Sequence, residues 1–482
     1  MIDFRPILFV VGILLTALGA SMLIPACVEI YSGTPDWRAF LFAGAVTVFA
    51  GGTMVMTTHS ERTPLNRRQA FVMTTACWSF AALFGALPFV FLEFSLGFTD
   101  AFFESMSGIT TTGSTVMTGL DTAAPGILVW RGLLQWIGGI GIIVTAVAVL
   151  PMLQVGGMEL FRTESSDQSQ KIVSRVAQLA GWIAAVYGLA TLLLTIGLLG
   201  AGMTLFDAAI HAMTAISTGG FSTSDQSIGA FENPAIHWIL FIGMITGALP
   251  FVLLVAVFRG EGRLMYRDTQ VRWFFATLTS FIAGVWIAEV VLGREETWIA
   301  FRLSAFNVTS ILTGTGFVSA NYDHWGSFSP VVFLILMFIG GCAGSASCGI
   351  KIFRFQILFA ATGLQIKKLI RPHGVFVATF NRNPISQDTL ESVMAFSLVY
   401  IAGYAALSIS LGVLGLDLVT ALSAAGTTMS NVGPGLGDIV GPAGTFAPLP
   451  AAAKWLLSAG MLLGRLEFFT VLVLFAPSFW RQ

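Results

Sequence analysis

Charge is scarce in this sequence. Of 482 residues only 10% are Asp, Glu, Lys or Arg, against roughly 25% in soluble domains, and that shortage excludes a water-soluble enzyme. An excess of either sign is missing too. The 24 Lys and Arg are balanced by 25 Asp and Glu, so nothing points to a nucleic-acid partner. Cysteine is limited to Cys27, Cys77, Cys342 and Cys348. All four lie in apolar stretches without zinc-ligand spacing or a disulfide framework, and they read as small buried hydrophobes. There is no H-E-x-x-H run and no juxtaposed pair of aspartates inside an apolar segment, which argues against an intramembrane protease.

What is abundant is apolar: 55% of residues are hydrophobic and 12% aromatic. Runs long enough to cross a bilayer, about 20 residues each, lie near 6–27, 38–58, 70–95, 126–151, 176–201, 235–258, 272–293, 328–350, 390–414 and 452–476. The first is longer than a signal-peptide core, without a clear charged leader or A-x-A-type cleavage site, and is expected to be a retained helix. Shorter segments near 100–112, 205–217, 300–313 and 417–430 cannot span and each ends in a glycine-bearing polar stretch, so they are expected to be re-entrant. An even number of spans puts both termini on one side. The connectors on that side, 59–69, 152–175, 259–272 and 351–389, with Arg5 and Arg481, carry most of the 24 positive residues, among them Arg62, Arg162 and Arg382. The positive-inside rule makes that side the cytoplasm.

Four polar stretches align on a glycine: Thr110-Thr111-Thr112-Gly113-Ser114, Ser217-Thr218-Gly219-Gly220-Phe221, Thr313-Gly314-Thr315-Gly316-Phe317 and Ser430-Asn431-Val432-Gly433-Pro434. The anchors Gly113, Gly220, Gly316 and Gly433 are 107, 96 and 117 residues apart. Each has a hydroxyl three residues before it (Thr110, Ser217, Thr313, Ser430) and another six before (Ser107, Thr214, Ser310, Thr427), a spacing that fits one face of a short helix. The expected fold is an all-α membrane protein. Two N-terminal spans (1–60) precede four helix–re-entrant pore helix–helix repeats at 66–155, 171–260, 268–370 and 385–482, arranged pseudo-fourfold around a pore.

Glycines at such an axis let backbone carbonyls turn inward, and rings of carbonyls replace the water shell of a monovalent cation. The C-terminal ends of the short helices add partial negative charge. None of the four stretches contains a carboxylate, which disfavours a divalent site. The aligned hydroxyls are placed to cap the last helical turns. Glu104, His211, Asn307 and Ala424 share the position nine before the anchors, and their mixed chemistry reads as packing. The small residues of 340–349 admit two readings: a helix that unwinds to cross the pore, or close helix packing. Arg465, inside the last span, is either half of an ion pair with another helix or an electrostatic barrier lining the pore. Lys351 is either a similar barrier or a snorkelling anchor.

The four filter stretches are similar to those of the Trk/Ktr/HKT superfamily of potassium transporters. Gly340-Gly341-Cys342-Ala343-Gly344-Ser345 leading to Gly349-Ile350-Lys351, and Gly464-Arg465-Leu466-Glu467-Phe468-Phe469 followed by Phe479-Trp480, resemble its TrkH branch, which the two extra N-terminal spans also suit. The resemblance implies potassium uptake across the cytoplasmic membrane, a homodimer with one pore per protomer, and a cytosolic TrkA-like ring of nucleotide-binding RCK domains, for which the basic connectors 259–272 and 351–389 would be the docking surface. It implies K⁺ as the transported ion, no organic cofactor and no enzymatic activity. Carried over, the coordinating carbonyls are those of Thr111, Thr112, Gly113, Thr218, Gly219, Gly220, Gly314, Thr315, Gly316, Asn431, Val432 and Gly433. In the HKT branch a serine in the first filter accompanies sodium preference, so Gly113 favours potassium. The resemblance makes 340–350 an intramembrane gate loop, with Gly340, Gly341, Gly344, Ser345, Gly349, Lys351 and Arg465 as its gate residues. Ala346-Ser347-Cys348 departs from the glycine-rich family pattern. A secondary transporter coupling K⁺ to H⁺ or Na⁺ on the same fold is the alternative.

Overall fold

The computed structural model describes residues 2–58, 66–92, 95–148, 169–293, 296–381 and 383–481, which are mostly helical. Arg62, Arg162 and Arg382, and most of the connectors 59–69 and 152–175, lie outside the described residues. Seven helices among the described residues are long and apolar enough to cross a bilayer, and two further helix pairs qualify as bent spans.

The N-terminal pair is a helical hairpin. Arg5–Ser21 and Leu23–Ser32 form the first arm, and Trp37–Thr58 returns along it after Gly33, whose φ is 74°. Without a hydrophobic driving force between helices in lipid, close approach of backbones is what holds such a pair. Here a β-carbon on Gly12 would lie 2.8 Å from Gly51 O, and one on Gly19 would lie 2.9 Å from Gly44 O. The hairpin is keyed to the next unit by the buried Glu29. Its carboxylate accepts from Thr34 Oγ1 and from Gly126 N at 2.5 Å, in the first turn of Pro125–Ala148, where a negative charge complements the helix dipole.

Four units follow, each an outer helix, a short pore helix and an inner helix. The pore helices are Phe98–Ile109, Leu205–Ile216, Thr297–Leu312 and Leu418–Ser430, close to the segments expected to be re-entrant. Burial separates the roles. The outer helix Gln387–Val413 is 22% buried over its most apolar window, whereas the inner helix of the first repeat is 72% buried, so outer helices face lipid and inner helices line the centre.

The inner helices depart from the sequence expectation. The expected spans 235–258 and 452–476 are not straight: Pro234–Ala248 meets Phe251–Phe258 at 105°, and Ala451–Leu466 meets Phe468–Phe475 at 113°. Pro250 cannot donate to the helix ladder, and Glu467 adopts a φ of 66°. The expected span 328–350 is not a continuous helix either. Helix Phe328–Phe338 stops, a loop follows, and a second helix, Ile352–Ile370, begins inside the protein with Phe353, Arg354 and Ile357 buried. The expected connector 351–389 therefore opens as buried helix. The cause is local: Gly340-Gly341 disfavours helix, and Ile339 and Ile350 pair in a parallel bridge that closes the loop at its base.

Replacing Gly51 with Leu would drive a side chain into Gly12 O and the Thr16 backbone. Overpacking of this kind costs about 1–3 kcal/mol, so the variant should melt at a lower temperature than the parent protein in detergent. An unchanged melting profile would show that the glycine contacts do not hold the hairpin.

Candidate cation site

Each pore helix ends the same way. The N–H one residue before the anchor reaches back to the carbonyl six before it: Thr112 N to Ser107 O, Gly219 N to Thr214 O and Thr315 N to Ser310 O at 2.8 Å each, and Val432 N to Thr427 O at 3.0 Å. The N–H two before the anchor reaches the carbonyl five before it, from 3.0 Å for Thr111 and Gly314 to 3.4 Å for Asn431. These are Schellman caps. They require a left-handed residue at the position two before the anchor. Thr111, Thr218, Gly314 and Asn431 supply it, with φ of 52°, 52°, 72° and 51°. The anchors turn positive again, with φ of 88°, 74°, 79° and 113° for Gly113, Gly220, Gly316 and Gly433.

These turns bring the four stretches together in cyclic order. A β-carbon on Gly113 would lie 2.3 Å from Gly219 O, and one on Gly220 would lie 1.9 Å from Thr315 O. One on Gly316 would lie 1.9 Å from Val432 O, and one on Gly433 would lie 3.0 Å from Thr112 O, which closes the ring. Each anchor thus rests on the carbonyl preceding the anchor of the next repeat. All four anchors line one cavity of about 250 Å³, together with residues that follow them in the chain such as Thr115, Ser222, Val318 and Pro434. Two carbonyls in the ring already accept protein donors: Gly433 O from Ser114 Oγ at 2.7 Å, and Gly219 O from Gln135 Nε2 at 2.6 Å.

The aligned hydroxyls do not share one task. Thr110 and Thr313 bond back to Met106 O and Thr309 O, Ser430 bonds to the Tyr400 hydroxyl, and the Ser107 and Thr427 hydroxyls have no partner among the described residues. What recurs at the sixth position is its backbone carbonyl. The residues nine before the anchors do share a task. In three repeats that residue holds the chain that leaves the filter. Glu104 accepts from Val116 N at 2.9 Å and from Thr115 Oγ1, His211 Nε2 meets Ser222 Oγ at 2.9 Å, and Asn307 accepts from Ser319 N at 3.2 Å. In the fourth repeat Ala424 has no polar group, and its neighbour Ser423 accepts from Leu436 N at 3.0 Å instead.

Beneath the filter lies the loop between Phe338 and Ile352. A β-carbon on Gly314 would sit 3.6 Å from Cys348 N, which places the loop under the third filter. Cys342 N and Ala346 N donate to Ala248 O and Gly247 O at 3.1 and 3.0 Å, and Phe251 N donates to Gly344 O at 3.0 Å. The break in the second inner helix therefore frees the groups that dock the loop. Internally, Gly340 N donates to Ile350 O at 2.9 Å, Gly341 N to Ser347 Oγ at 2.8 Å, and Ser345 Oγ to Cys342 O at 2.6 Å. Gly349 turns at a φ of 73°. Of the two readings of 340–349, the unwound segment is the one found.

Arg465 Nη1 donates to Ala346 O at 3.0 Å and touches Cys348 Sγ, while Nη2 donates to Gly138 O at 3.2 Å. One guanidinium ties the last inner helix to the loop and to the first inner helix. It makes no ion pair among the described residues. Glu467 pairs instead with Arg354 at 2.6 Å. Lys351 does not snorkel; its Nζ turns back to Ser347 O. These groups leave a cavity of about 30 Å³, room for a water or two.

Three groups escaped the sequence reading. The buried Arg131 pairs with Glu104 at 2.8 Å and donates to Ser222 O at 3.0 Å. Gln135, one turn on, grips the second filter. Arg354 holds Glu467. The available signal for the first two was a pair of polar residues four apart in an apolar span. Outside the membrane-spanning segments, Asp323 accepts from Gly437 N at 2.8 Å and joins the third repeat to the fourth. Burial raises its pKa above the ordinary carboxylate value.

A family model described as TrkH, cation transport protein, matches residues 37–482. The chain is 44% identical over 478 residues to the Trk system potassium uptake protein TrkI of Halomonas elongata, covering 99% of this chain and 97% of that one. It is 36% identical over 487 residues to the Trk system potassium uptake protein TrkH of Escherichia coli K12, covering 99% and 100%. The crystal structure of the potassium transporter TrkH from Vibrio parahaemolyticus matches all of both chains with a TM-score of 0.92 at 33% identity.

Because a β-carbon on Gly220 or Gly316 falls 1.9 Å from a neighbouring carbonyl at a backbone angle that itself costs an L-residue about 1–2 kcal/mol, Gly220→Ala and Gly316→Ala should each cut ion flux at least tenfold. Gly188→Ala, where nothing lies within 4 Å, should leave it unchanged. Wild-type flux through either filter variant would contradict the ring contact.

Proposed function

The chain belongs to the TrkH family of cation transport proteins, and on that premise we propose that it takes up potassium through a channel-like pore at the centre of its four repeats. The observation that carries the reading is the cyclic contact of the four anchor glycines with the carbonyls of their neighbours. Four stretches of neutral oxygen meet at one place, each at the C-terminal end of a half-helix whose dipole favours a cation. The coordinating groups in this proposal are the carbonyls of Thr111, Thr112, Gly113, Thr218, Gly219, Gly220, Gly314, Thr315, Gly316, Asn431, Val432 and Gly433. A filter without carboxylates suits dehydration of a large monovalent ion rather than capture of a divalent one.

The loop 340–350 is the proposed gate. It lies directly under the third filter, is pinned by Arg465, and leaves almost no free volume. Arg465 adds a positive charge that a cation must pass, and Lys351 a second. Opening requires the bonds from Cys342, Ala346 and Arg465 to yield together. The homodimer and cytosolic TrkA-like ring implied by the family resemblance, with both termini cytoplasmic, complete the proposal. Lys367, Lys368 and Arg371 lie beside the exposed Leu369, Ile370 and Val375 at the far end of the helix that leaves the loop. In this proposal that end transmits a push from a bound ring to the gate.

Reconstituted into proteoliposomes, the protein should carry K⁺ and Rb⁺ well above Na⁺ and Li⁺, in single-channel steps rather than a slow saturating exchange. Equal permeation of all four ions would defeat the potassium reading. Obligate stoichiometric movement of H⁺ or Na⁺ would replace the channel-like mechanism with a coupled one. Arg465→Ala should raise K⁺ flux several-fold, and Gly113→Ser should narrow the preference for K⁺ over Na⁺. Unaltered flux in the first variant would remove Arg465 from the gate.

A further inference from the structure

The second filter contains a peptide unit that its own side chains cannot hold. Just before the anchor the other filters have Thr112, Thr315 or Val432, whose β-carbons restrict the backbone, but the second has Gly219 followed by Gly220. A peptide flanked by two glycines turns over at little steric cost. Turning this one would put the Gly220 N–H where the Gly219 carbonyl stands, a donor in a ring built to hold a cation.

The side chain that meets this peptide is Gln135, fully buried on the inner helix of the first repeat. Its Nε2 donates to Gly219 O at 2.6 Å and its Oε1 accepts from Phe221 N at 3.0 Å. A carbonyl only accepts and a backbone N–H only donates, so both ends of the amide are fixed by their partners. Arg131, one turn earlier, donates to Ser222 O at 3.0 Å and lies 4.0 Å over the Phe221 ring, which holds the chain beyond. The bonds to residues 219 and 221 straddle the anchor. With them in place Gly219 O keeps the relation to Gly113 that Thr315 O and Val432 O keep to Gly220 and Gly316. Among the described residues no side chain donates to the corresponding carbonyl in the other three filters.

The fit is reciprocal. A β-carbon on Gly219 would lie 2.4 Å from Gln135 Cδ, so the missing side chain makes room for the clamp, and the clamp supplies the restraint that a side chain would have given. We propose that Gln135 is a positioning residue for cation selectivity, holding the Gly219–Gly220 peptide in the orientation of its three counterparts. The proposal rests on reading the four stretches as a potassium filter.

The test uses the full chain in proteoliposomes and reads the K⁺-to-Na⁺ permeability ratio, with folding checked by size-exclusion chromatography. Gln135→Ala should lower the ratio about tenfold, the scale of one buried hydrogen bond. Gln135→Glu, whose ionised carboxylate keeps an acceptor for Phe221 N and loses the donor to Gly219 O, should lower it as well, and it serves if the alanine variant does not fold. Gly219 has no left-handed φ, and the three atoms nearest to a β-carbon there all belong to Gln135. Gly219→Ala alone should therefore impair conduction, while Gln135→Ala combined with Gly219→Ala should regain selectivity relative to Gln135→Ala. A purely structural role would lower folded yield and total flux without moving the ratio and without that recovery. Folded Gln135→Ala and Gln135→Glu proteins with the wild-type ratio would overturn the proposal. A wild-type protein with no preference for K⁺ would instead overturn the filter reading, and this inference with it.

Discussion

A polar backbone inside a bilayer has to be satisfied or has to line a cavity, and the centre of this protein is organised around that requirement. Four pore helices end at depth, where their last carbonyls would otherwise lack donors. In each, a Schellman cap supplies two of those donors from the residues that begin the filter stretch. The cap demands a left-handed residue and the anchor demands a second positive φ, so the carbonyls between them are freed from helix pairing and turned toward the neighbouring repeat. The same backbone geometry that terminates the helix thus builds the ring.

Once the ring is closed, the surrounding polar residues fall into place as its supports. Glu104, His211, Asn307 and Ser423 hold the chain leaving each filter, and Arg131 and Gln135 brace the second filter from the first repeat. In three repeats a glycine of the inner helix packs onto the end of its own pore helix: Gly138 on Ile109 O, Gly247 on Ile216 O and Gly464 on Met429 O. The third repeat has no such contact, because its inner helix has already unwound at Gly340-Gly341.

Below the filter the fourfold likeness is abandoned, and the differences interlock. The second inner helix breaks at Leu249-Pro250 and exposes Gly247 O and Ala248 O. The third unwinds into a loop whose N–H groups need those acceptors, and the fourth carries the arginine that bonds the loop at Ala346 O and the first inner helix at Gly138 O. Glu467, at the break of the fourth, is neutralised by Arg354 from the helix that follows the loop. Since a paired buried charge is strongly destabilising once its partner is removed, this pair couples the last span to the helix leaving the loop.

The sequence by itself determined the membrane setting, the two-plus-four arrangement and the register of the four stretches, because hydropathy, glycine and the absence of carboxylates act through local backbone preference and need no partner. It showed that Glu104, His211 and Asn307 share a position but not that they share a task, since a carboxylate, an imidazole and an amide bridge to the same stretch with different atoms. Bends at Pro250 and Glu467, the pairing of Arg354 with Glu467, and the reach of Gln135 to a filter 84 residues away were decided only by tertiary structure. Each depends on which repeat lies beside which, and adjacency around a ring leaves no periodicity in the chain that forms it.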